Sequence, residues 1–501
     1  MSTKSFLRVY IIINSLKKKR RYVIITHESI KKINGENEKE RLKHHMKKVR
    51  KIDVLSVAVG AIIGWGCFVM PGNSFLPAAG PLGTLIGMTL AGIMAWIIAQ
   101  SYSYLLVKYP VEGGEFEYVT QAFGKTHAFI CGWFLVLAFT SFIPLNGTAI
   151  GLITRYIFPD TFLQATHLWN IAGFDVYLGE VIITILIVGA FTVLNIKNVN
   201  AAFMSQTFLA LSQTAIIIAF PLIMIACGKA DFDYMRPFFE GSRGESVFSG
   251  ITVILSMAPW AMVGFEVIPQ VCEEYDFDQT KAKALMVITI VCAVLMYSCS
   301  TLATAMVAQE GYANWAEYLN SNPFWAYGEA VETALGKPAL YLLGFAMTCA
   351  VLSAINGFIL SASRLMSAMA KKKALPAVFC YRPQGSTAPV YAILFVGITG
   401  MLTPMLGRAA LAWIVDMTSF GTTIGFLYVC AAAWKFAKLE GNKPVQGWGI
   451  AGVICSLIFF FLMAIPGSAS ALYKEAYIAL FVWIALGIVF YLKQKKEYIG
   501  K

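Results

Sequence analysis

Residues 60–72 read GAIIGWGCFVMPG, and residues 256–270 read SMAPWAMVGFEVIPQ. Each lies inside an apolar run long enough to cross a bilayer. Gly60, Gly64 and Gly66 punctuate the first run, and Pro259, Gly264 and Pro269 the second. Proline has no amide hydrogen and clashes with the preceding turn, while glycine adopts backbone conformations closed to other residues. A helix interrupted in hydrocarbon frees backbone groups that cannot stay unpaired, so the interruption lines a cavity or holds a ligand. Freed amides at a half-helix N-terminus attract an anion such as a carboxylate, and freed carbonyls attract a cation. One zwitterion satisfies both.

The rest of the chain fits that setting. Of 501 residues, 58% are hydrophobic and 14% charged, against about 45–50% and 25% in soluble domains. That excludes an ordinary soluble enzyme and a disordered chain. A helix crosses the bilayer core with about 20 apolar residues, and about twelve such runs lie between residues 54 and 492. The two interrupted runs are the first and the sixth. They hold matching places in two successive five-helix blocks, the pattern of an inverted-repeat fold with its site at mid-membrane.

Sixteen of the 40 Lys and Arg fall in residues 1–52, with only four of the 28 Asp and Glu. The remaining chain is electrically balanced. The basic excess belongs to this arm, expected to be a cytoplasmic tail or a mis-assigned start, and gives no reason to expect a nucleic-acid partner. With both termini cytoplasmic, the inner segments after residue 52 carry 17 Lys and Arg and the outer segments seven, as the positive-inside rule requires. The domain reading is an arm over 1–52 and a membrane domain over 53–501. Within that domain lie repeats of about 53–228 and 246–437, then two extra helices over about 448–492. The segment 309–337 is expected to fold as short helices over an access path. The cysteines read as packing residues. No spacing suggests a catalytic triad, a nucleotide-binding loop, a metal site or a cofactor, so an enzyme is not expected.

The interrupted runs resemble those of the amino acid–polyamine–organocation permeases. GAIIGWGCFVMPG is similar to that family's broken helix 1, and APWAMVGFE to helix 6 of its arginine–agmatine exchangers, where a Trp begins the break and a Glu ends it. PVEGGEFEYVTQAFG, ASRLMSAMAKKKALP and VDMTSFGTT resemble the segments after helix 2, at the end of helix 8 and at the start of helix 10. The resemblance implies an all-α polytopic fold of about twelve transmembrane helices, a 5+5 inverted repeat of leucine-transporter type with helices 1 and 6 broken. It also implies secondary transport of amino acids or related amines by alternating access.

By that resemblance, the amides around Gly64, Trp65, Gly66 and Cys67 hold a substrate carboxylate. The carbonyls of Ile62, Ile63, Trp260, Ala261 and Val263 hold its ammonium, and Gly264 completes the set. Trp260 and Phe358 are the gating aromatics. Trp65 departs from the pattern, since relatives often carry a small residue there. Glu266 is the one carboxylate placed near mid-membrane, where a charge is costly; that suits a proton-coupled gate. A sodium site would use Gly60, Ile63, Ala350 and Ser353, but Ala354 lacks the second hydroxyl. The fifth run has no Lys, and its polar candidates are Gln206, Ser212 and Gln213.

The expectation is therefore a plasma-membrane permease for neutral zwitterionic amino acids, surrounded by membrane lipid and coupled to protons or sodium. A polyamine or amino-acid/amine exchanger is the alternative within transport. A non-transporting nutrient sensor is the alternative of another class.

Overall fold

The computed structural model describes residues 49–159, 161–171, 173–465 and 472–499. Residues 1–48, most of the basic arm, lie outside the described residues. The described elements begin with α1 (Lys51–Ile63). Two residues later come α2 (Gly66–Met70) and a π-helical turn, Pro71–Phe75. The 13 residues of α1 rise about 20 Å, less than the about 30 Å hydrocarbon thickness, so the gap falls within the membrane. α3 (Leu76–Lys108) bends at Gly80–Pro81. The part before the bend completes the first span, and the part after it forms the second.

The remaining elements follow in order: α4 (Gly114–Phe123), α5 (Lys125–Ile157), a hairpin of β1 (His167–Ile171) and β2 (Phe174–Tyr177), α6 (Leu178–Lys197), α7 (Val199–Ala226), α8 (Val247–Ala261), α9 (Val267–Gln270), α10 (Ala282–Ala305), α11 (Trp315–Asn320), α12 (Ala326–Leu335), α13 (Lys337–Lys371), α14 (Val390–Leu402), α15 (Gly407–Glu440), α16 (Lys443–Ala464) and α17 (Lys474–Ile499). Local sequence sets several boundaries. The side chains of Asn198, Ser246 and Asn442 accept from Ala201 N, Ser249 N and Val445 N, capping α7, α8 and α16.

Among the described residues, nine helices are long and apolar enough to cross a membrane, and Val247–Ala261 and Val390–Leu406 are shorter apolar helices. Counting the bend in α3, twelve spans result, and the first and sixth are interrupted. The chain is a multi-pass, all-α membrane protein. Its spans differ sharply in burial: 83% of the most apolar stretch of α5 and 78% of that of α13 is buried, against 17% for α17. α5 and α13 form the interior, while the outer spans turn side chains such as Leu186, Phe208 and Phe481 outward, as contact with lipid requires. The starts of the two interrupted spans differ, but one end of each is joined: Val49 N donates to Glu274 O at 2.8 Å, and Asp276 N to Val49 O at 3.1 Å.

Candidate functional site

At the first break, Gly64 turns the chain with φ 40° and ψ −162°. The amide of Trp65 then donates to Asn146 Oδ1 at 3.2 Å. Asn146 comes from the buried interior of α5, where its Nδ2 donates to Phe142 O at 2.8 Å. At the sixth span, α8 ends in a tightened turn, with Met262 N bonded to Ala258 O and Val263 N to Trp260 O. Helix resumes at α9 after Gly264, whose φ is 149°. A Cβ on Gly264 would stand 2.5 Å from Ile62 N, so the two breaks meet backbone to backbone. The amide of Gly264 donates to Glu266 Oε2 at 2.8 Å.

Trp260 lies over Gly66, where a Cβ would come within 2.2 Å of its ring. The rings of Trp65 and Trp260 are 5.6 Å apart and tilted by 54°. Ile62, Ile63, Gly64, Trp65, Gly66, Cys67, Trp260, Ala261, Val263, Gly264 and Glu266 are all buried, and these contacts gather them around one junction. Several of the groups assigned to ligand binding already have protein partners: the Trp65 amide on Asn146, the Trp260 carbonyl on Val263 N, and Gly264, whose amide is on Glu266 and whose carbonyl is on Val267 N. Phe358 stacks on Phe142 at 4.3 Å, near-parallel at 9°, with Phe139 beside it. Its ring partners are thus on α5, while Trp260 pairs with Trp65.

Gly60, Ile63, Ala350 and Ser353 are buried, and here an amide network intervenes. Gln206 Nε2 donates to Ser353 O at 2.9 Å and Ser353 Oγ at 2.6 Å. Its Oε1 accepts from Asn356 Nδ2, and Asn356 Oδ1 accepts from Asn195 Nδ2. A Cβ at Gly60 would stand 2.4 Å from Gln206 Nε2. The positive end of the Gln206 amide therefore lies beside the very hydroxyl a cation would need.

Both ends of the junction are covered. Segment 309–337 does form short helices, α11 and α12, anchored by buried aromatics: Trp325 Nε1 donates to Phe68 O at 2.8 Å, and Trp315 Nε1 to Met235 O at 3.0 Å. On the Val49 side, Glu112 pairs with Lys371 at 2.5 Å and with Arg382, while Arg364 pairs with Glu274 at 3.0 Å.

Sequence reasoning missed Asn146, the partners Asn356 and Asn195 of the Gln206 amide, and the buried Glu115. The signal of the first two is a polar side chain in an apolar surrounding, which membrane helices rarely carry without a purpose.

The model of the amino acid permease family matches residues 52–489. The chain belongs to the amino acid permease family. Its relatives include the branched-chain amino acid permease BcaP of Lactococcus lactis subsp. cremoris, 23% identical over 80% of this chain and 84% of that protein. The histidine permease HisP of the same organism is 24% identical over 89% of this chain and 94% of that one. The vacuolar cationic amino acid transporter 4 of Arabidopsis thaliana is 23% identical over 79% of this chain, which spans 64% of that protein's length. This permease is an amino acid transporter.

Proposed function

We propose that this permease carries neutral, zwitterionic amino acids across the plasma membrane by alternating access, with both termini in the cytoplasm and the Val49 side facing inward. The observation that carries the reading is the contact of Gly264 with Ile62. It sets two helix interruptions side by side, one offering amides for a carboxylate and the other carbonyls for an ammonium. The amides of Gly66 and Cys67 and the carbonyls of Ile62, Ile63, Ala261 and Val263 form the binding set, with Trp260 as the gate. Among the described residues Glu266 is the one carboxylate at the junction, and one of its oxygens is taken by Gly264 N. A site for a dibasic substrate would offer more negative charge, so neutral substrates are favoured over polyamines. The branched-chain and histidine permeases among the relatives support the same class. Coupling runs to protons through Glu266 rather than to sodium, because the Gln206 amide engages Ser353.

The test is a thermal-shift screen of the purified protein against the standard amino acids and common amines, with and without sodium. Neutral amino acids raise the melting temperature by mass action, without need of sodium, and Gly66→Val, in protein verified as folded, removes the shift. A shift only with diamines, or none with any compound, would overturn the reading.

A further inference from the structure

Trp65 stands between the two glycines of the first break, beside the amides assigned to a carboxylate. Its backbone is tied on both sides. The amide donates to Asn146 Oδ1 at 3.2 Å, and the carbonyl accepts from Phe68 N at 3.0 Å. The Phe68 carbonyl is held in turn by the Trp325 indole. Trp65 itself has φ −66° and ψ −25°, an ordinary helical conformation. The anchored backbone cannot carry the indole away, so only a change of side-chain rotamer moves it.

That indole meets Trp260, with ring centroids 5.6 Å apart and planes tilted by 54°. The two residues are only 9% and 8% exposed. The flanking glycines open no slot beside them. A Cβ on Gly64 would stand 2.8 Å from Asn146 Oδ1, and one on Gly66 would run into the Trp260 ring. Neighbouring side chains are engaged elsewhere: Cys67 Sγ lies 3.5 Å from Ser300 Oγ on α10, and Phe358 stacks on Phe142 of α5. Two indoles therefore border the binding segment, and Trp65 supplies one of them from inside the segment itself.

We propose that Trp65 is the size-determining residue of this site and restricts its substrates to amino acids with the smallest side chains, such as glycine, alanine and serine. The proposal rests on the reading of the junction as a neutral amino acid site and narrows it. Backbone amides and carbonyls grip the carboxylate and the ammonium, which every amino acid shares. They fix the substrate's Cα at the junction and do not tell one side chain from another. Discrimination falls to the side chains that border the grip. A tryptophan buries about 150–250 Å² of surface, and the space it fills is closed to a substrate side chain. A hydrogen, methyl or hydroxymethyl group leaves the indole pair in place. A branched or aromatic group has to push Trp65 off Trp260, and a clash of that kind selects against the larger substrate without needing a tighter hold on the smaller one.

The experiment uses the purified full chain, with glycine, alanine, leucine and phenylalanine as probes. It reads the concentration of each that gives half of the maximal rise in melting temperature. In the wild type, leucine and phenylalanine need concentrations about tenfold or more above those of glycine and alanine. Trp65→Ala lowers the leucine-to-alanine ratio of these concentrations by about tenfold or more. Trp65→Phe gives a ratio between the two, and it serves alone if Trp65→Ala does not fold. A purely structural role for Trp65 would weaken all four probes together, so an unchanged ratio in a folded variant overturns the proposal. Leucine acting at the same concentration as alanine on the wild type also overturns it, and leaves the neutral amino acid reading standing. A wild type that responds to diamines and to no neutral amino acid overturns that reading, and this proposal with it.

Discussion

In the first span, the freed amide of Trp65 is held by Asn146, a side chain 81 residues away on another helix. In the sixth span, the freed amide of Gly264 is held by Glu266, two residues further along the same segment. The first break is therefore fixed by where α5 stands, whereas the second carries its own support with it. The supports also differ in chemistry. An asparagine amide is neutral at every pH, but a carboxyl accepts most strongly when ionised. A protonation event thus acts on the sixth break and leaves the first unchanged.

Gly264→Val attacks the point where the breaks meet, and it has the largest expected effect. The new side chain would collide with Ile62 N and adopt a φ that β-branched residues avoid. A cost of about 3–5 kcal/mol is expected, read as loss of folded protein in size-exclusion chromatography or a collapsed melting temperature. Asn146→Ala removes only the support of the first break. Leaving a buried amide unpaired costs about 1–3 kcal/mol, seen as a lowered melting temperature with a pH dependence like that of the wild type. Glu266→Gln keeps an acceptor for Gly264 N, so stability changes by less than about 1 kcal/mol. Its pH profile of uptake flattens instead, and an unchanged profile would break the contrast between the two supports. The smallest effect is expected from replacing sodium by choline, which should change uptake by less than about twofold.

Both breaks are legible in the sequence because glycine and proline inside an apolar run are a local signal. Asn146 is not legible in this way: it is one polar residue in FIPLNGTA, and its partner lies on another span. Glu115 misleads for a different reason. PVEGGEFEY looks like a polar surface loop, yet the Gly113–Gly114 turn tucks the start of α4 under α9 and leaves Glu115 without exposure. Gln206 is visible as a polar residue of its span, but not its hold on Ser353, which depends on how α7 and α13 pack. The fold follows from patterns along the chain, while the chemistry of the junction depends on meetings across it.

The bond from the Trp325 indole to the Phe68 carbonyl makes segment 309–337 a lever on the first span. Its far arm is α11, pinned by Trp315 to the backbone at Met235 and Pro237. Tilting the half of the first span that follows its break must either swing this loop as a unit or detach the indole. Changes in the loop would then be felt as a difference in the speed of the cycle more than in the grip on the cargo.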